Sequence, residues 1–147
     1  MTDVDHRRLG VDLFNHTWTL LEKPDRTPAE DDELLHATHA SAYHWSRVGA
    51  PENLARGEWQ VSRVNAVLGR GEAALHHARR CLDHCLEHGI GDWDLAYAYE
   101  ALARAHKVAG DEAEYRRNLE LARDAGTRIA EDDDREHLER DLADLAR

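Results

Sequence analysis

A stretch of this chain repeats itself 41 residues further on, and that echo constrains the fold more than any other feature. Ser62-Arg63-Val64-Asn65-Ala66-Val67-Leu68-Gly69 answers to Ala103-Arg104-Ala105-His106-Lys107-Val108-Ala109-Gly110, with an Arg, a Val and a closing Gly in the same places. A further helical pattern follows each Gly, so the unit is a helix pair. A period of this size means stacked helical hairpins, in which each pair buries its apolar face against its neighbours.

The punctuation agrees. Residues 5–21 repeat Leu9, Leu13, Trp18 and Leu21 at helical spacing, and Pro24 and Pro28 then break the chain. Thr27-Pro28-Ala29-Glu30 restarts it as a capping box: Thr as N-cap, Pro at the first helical position, Glu three on. Gly49 and Pro51 stop the second helix near Val48, Gly69-Arg70-Gly71 the third, and Gly89-Ile90-Gly91 the fourth. Asp92 is expected to cap the fifth helix, Gly110-Asp111 to open the sixth, and Gly126 to close it. The fifth helix is apolar or small on nearly every side from Trp93 to Ala103, which places it at the centre of the array. The reading is an all-α chain of about seven helices. Antiparallel hairpins cover residues 5–48, 52–88 and 92–125, stacked in a right-handed array, and a capping helix covers residues 133–146.

Residues 52–126 resemble tetratricopeptide (TPR) repeats. The likeness rests on small residues where paired helices meet, a Gly in each intrahairpin turn, and Ala74, Ala78 and Ala122 on the second helices. The TPR period is about 34 residues, shorter than this echo. The likeness implies a protein-binding surface and names no partner.

Charge narrows the partners. Thirty acidic residues face nineteen basic ones, a formal net charge of −11. Such a surface repels phosphate backbones and anionic lipid, so neither nucleic acid nor membrane is an expected partner. The acidic runs at residues 25–33 and 131–134 fall where helices begin, where carboxylates oppose the positive end of the helix dipole. No apolar run approaches the roughly 18 residues of a bilayer span. Residues 1–8 offer no apolar signal core, so a cytoplasmic location is expected. Cys81 and Cys85, four apart on one helix, suit side-by-side thiols in a reducing compartment.

Two constellations could carry function. Eleven histidines are present, and His77, Cys81, His84 and His88 share a stripe about 60° wide on the fourth helix. With His36 or His39 they could ligate zinc or another late transition metal; the plainer reading leaves them flanking a buried face of Ala74, Ala78, Leu82 and Cys85. The second constellation is a groove for a protein segment, or for a second copy of the chain. It would be formed by Tyr43, Arg56, Trp59, Arg63, Asn65, Arg104 and His106, the last four in equivalent repeat positions. The alternative for Arg63 and Arg104 is a lattice of ion pairs to Glu58, Asp94 or Glu100. No G-x-S-x-G and no strand-borne Gly-rich loop is present, so the expectation is a module without catalysis and without a cofactor.

Overall fold

The computed structural model describes residues 3–147; Met1 and Thr2, the start of the N-terminal stretch read above for a signal core, lie outside the described residues. Seven helices follow in order: α1 (His6–Leu21), α2 (Pro28–Val48), α3 (Pro51–Val67), α4 (Gly71–His88), α5 (Asp92–Ala109), α6 (Glu112–Gly126) and α7 (Asp132–Leu145). No strand occurs among the described residues. No described helix is long and apolar enough to cross a membrane.

The helix starts are chemically explicit. Thr27 accepts from the Glu30 N–H at 3.2 Å while the Glu30 carboxylate accepts from the Thr27 N–H at 3.0 Å, so the capping box closes α2 reciprocally. Asp111 accepts from the Glu114 N–H at 3.2 Å at the start of α6. Two starts differ from expectation. Pro51 opens α3 rather than only ending α2, because its missing N–H falls among donors that no helix turn could pair. Asp92 is the first residue of α5 rather than its cap, held at φ +52°. Its carboxylate accepts from the Trp93 N–H at 2.8 Å and from the Ala130 N–H at 3.2 Å, so it ties α5 to the α6–α7 connection instead.

The echo has a structural cause. Gly69 and Gly110 end α3 and α5 at φ +76° and +84°, a conformation that costs a side-chain-bearing residue about 1–2 kcal/mol. This left-handed step turns the following N–H back on the helix: Arg70 donates to the Asn65 carbonyl at 2.8 Å and Asp111 to the His106 carbonyl at 3.0 Å. Asn65 and His106 are thus equivalent through their backbones.

Three antiparallel hairpins result: α1 packs on α2, α3 on α4 and α5 on α6, with α7 covering α5 and α6. The first helices α1, α3, α5 and α7 also pack side by side, whereas α2, α4 and α6 contact only first helices. One layer therefore closes on itself while the other splays, which leaves the first-helix face concave. Small residues set the spacing. A Cβ on Gly71 would lie 2.9 Å from the Ala109 backbone, and Gly57 faces Ala42 at 3.6 Å. α5 buries Ala96, Ala98, Ala101, Ala103 and Ala105 and touches α3, α4, α6 and α7, which is the central position its composition foretold.

Candidate functional site

The concave face holds a cavity of about 620 Å³, within the usual range for ligand sites. Each wall follows a helical period. Phe14, Trp18 and Glu22 are spaced by four along α1 and its C-cap. Ala55, Trp59 and Arg63 repeat the spacing on α3, with Arg56 beside them. Trp93, Asp94 and Tyr97 come from α5, and Asp134, His137 and Asp141 from α7. Cys81 of α4 reaches the floor.

Aromatic rings build that floor. Trp18 and Trp59 lie with centroids 5.7 Å apart, and Trp59 meets Tyr97 edge-on at 5.8 Å. Charged groups brace the rings. Arg56 donates twice to the Asp94 carboxylate, both bonds 3.0 Å, with its guanidinium carbon 4.4 Å from the Trp93 centroid. That bidentate pair raises Arg56 above its ordinary pKa and fixes it charged. The Tyr97 hydroxyl donates to Asp141 at 2.7 Å; burial and this bond push its pKa far up, so it stays a phenol. Trp59 Nε1, Arg63 Nε and Arg63 Nη2 are buried without a hydrogen-bond partner.

Of the residues expected from the sequence, Arg56, Trp59 and Arg63 meet in this cavity. The other four lie elsewhere. Tyr43 is 59% exposed on α2, away from the concave face. Asn65 is buried and donates to the Val61 carbonyl at 2.9 Å, a bond inside its own helix. His106 is buried near the end of α5. Arg104 donates to Glu100 Oε1 from Nε at 2.9 Å and from Nη2 at 2.6 Å, and Arg63 Nη2 lies 3.5 Å from the same oxygen. The ion-pair lattice therefore forms on Glu100, and Arg63 serves both lattice and groove.

The histidine stripe divides. Cys81 is buried and shares a core cluster with Ala55, Ala98 and Cys85, while Leu82 is only partly covered. The neighbouring Cys85 thiol, with burial added, pushes Cys81 well above its ordinary pKa, and the Cys81 thiol in turn lowers Cys85. His77 Nδ1 lies 2.6 Å from Glu58 Oε2, His39 meets the His77 ring edge-on at 5.4 Å, and His84 stacks on His88 at 6.3 Å. His36 is exposed on α2. Among the described residues no three His, Cys, Asp or Glu side chains form a group that could hold a metal ion.

No protein-family model, no curated protein and no solved structure matches this chain. The site is therefore read from its own chemistry.

The Glu58–His77 contact makes a testable pH signature. Burial raises the Glu58 pKa, but the hydrogen bond and charge of His77, with the charges of Arg80 and His84, together outweigh it, and the net value lies below the ordinary one. A lowered folded-state pKa contributes stability that is complete above about pH 5 and vanishes as the pH falls through the folded value. His77→Gln should accordingly melt below the intact protein at pH 6 and approach it in acid. A gap that stays constant down to low pH would remove the carboxylate from the account.

Proposed function

We propose that the chain is a non-catalytic interaction module that holds a segment of another protein in the groove between α1, α3, α5 and α7. One observation carries the reading: every first helix, and the capping helix after them, sends side chains into the same 620 Å³ cavity. A surface built from all repeats at once suits a ligand that extends across them. Tryptophan and tyrosine floors with arginine beside them are the composition of binding hot spots, since they bring large contact area at low side-chain entropy. Four of the titratable lining groups are engaged with one another, Arg56 with Asp94 and Tyr97 with Asp141, which suits them to bracing a binding surface rather than to proton transfer. The resemblance to TPR repeats points the same way, and a cytoplasmic setting fits the two free thiols.

A displayed library of random peptides tests it. Peptides selected on the intact protein should lose most of their retention on Tyr97→Ala and keep it on Tyr43→Ala, outside the groove. Equal retention on all three proteins would remove the groove as the binding surface.

A further inference from the structure

Three of the four tryptophans have an arginine over the ring: Arg7 lies 5.3 Å from the Trp45 centroid, Arg63 5.2 Å from Trp59 and Arg56 4.4 Å from Trp93. Trp18 is the exception among the described residues. It stands half-buried in the groove, with Phe14 edge-on at 6.5 Å and Trp59 tilted beside it. One turn further on, Glu22 lines the same cavity, and across it stands Asp134; neither makes an ion pair among the described residues. An indole face with a carboxylate one turn away attracts a cation through ring quadrupole and charge together.

The rest of the lining does not reverse that sign. Four carboxylates and two guanidiniums face the cavity. Arg56 is closed on Asp94, and Arg63 has its Nη2 3.5 Å from Glu100 Oε1, so each guanidinium already faces a carboxylate of the chain. The whole chain carries −11, which steers positive segments inward.

We propose that the groove takes the arginine or lysine side chain of a basic segment of a partner protein, seated over Trp18 with its charge met by Glu22. A neighbouring basic residue of the segment meets Asp134. The proposal rests on the groove reading above and specifies the ligand chemistry. A free small amine has the same charge but leaves most of the cavity unfilled, so the source is a polypeptide.

The test uses four synthetic probes: peptides of one length alternating Gly with Arg, Gly with Gln or Gly with Glu, and free arginine amide. Binding is followed by tryptophan fluorescence and calorimetry. The Arg peptide should bind at least about tenfold more tightly than the Gln peptide, and the Glu peptide more weakly still. Trp18→Leu and the surface change Glu22→Gln should each weaken the Arg peptide by about tenfold and leave the Gln peptide unaltered. Added salt should weaken the Arg peptide selectively. Equal affinity for Arg and Gln peptides, indifference to both substitutions, or silence from all four probes overturns the cation site. Library selection judges the groove itself separately. Arginine amide binding as tightly as the peptide would overturn the polypeptide source.

Discussion

Glu100→Ala should lower the unfolding free energy by about 3–5 kcal/mol, read as a shift of the urea midpoint followed by circular dichroism. Glu100 is 0% exposed at the middle of α5, and one of its oxygens accepts both Arg104 bonds with Arg63 Nη2 3.5 Å away. Burying a carboxylate is costly on its own, and here the opposing guanidiniums offset that cost. Remove it and two arginines, with side chains only 16% and 22% exposed, face each other without a counter-charge. Glu100→Gln keeps the shape but loses the charge, so its effect should lie between intact protein and Glu100→Ala. In a double-mutant cycle with Arg104→Met, part of the loss should return, because one orphaned cation is gone. Losses that simply add would dismiss the pair as a coupled unit. Arg63 also lies over Trp59, so tryptophan emission should change with the substitution even where the protein remains folded.

The helix pattern was legible because each of its signals is local. Thr27, Pro28 and Glu30 close a capping box within four residues, and Gly69 and Gly110 each end a helix through bonds that reach back five residues. The groove is not local, for its walls come from four helices between Phe14 and Asp141. Trp93 and Tyr97 on an apolar helix look like any core pair until the neighbouring helices are placed. One signal was present: carried back a further unit, the 41-residue spacing sets Trp18 against Trp59 and Glu22 against Arg63, and all four line the cavity. A helical projection gives directions on one helix and says nothing of what covers them. Cys81 therefore sat within a histidine stripe in projection, while Ala55 of α3 and Ala98 of α5 enclose it in the fold. Asn65 and Arg104 failed to join the groove for a related reason. Their echo records a helix-end hydrogen bond and an ion-pair lattice.

Leu138→Ala should cost about 2–5 kcal/mol, and most of that should appear as selective loosening of α7. Leu138 is 1% exposed and packs with Leu119, Ala122, Ala125, Ile129 and Leu142. Its Cδ2 lies 2.7 Å from where a Cβ on Gly126 would stand, so α7 rests directly on the backbone of α6. Truncation there leaves a cavity that the closely seated backbones cannot readily collapse. In a stacked array each unit is held by its nearest neighbours, and α7 contacts only α5 and α6. Hydrogen exchange should therefore accelerate across α7 first, with α1 to α4 retaining their protection. The Tyr97–Asp141 bond and the Lys107 contact to the Leu145 carbonyl should weaken with it. Leu86→Ala, at a side chain 61% exposed, is the matched control and should change stability by less than about 0.5 kcal/mol. The groove links this to binding. Asp134, His137 and Asp141 stand on α7, so a frayed cap opens one wall, and affinity for a groove ligand should fall although Leu138 does not line the cavity. Uniform deprotection of all seven helices would instead mean that the cap is coupled to the whole array, and would take away the basis for treating that wall as separable.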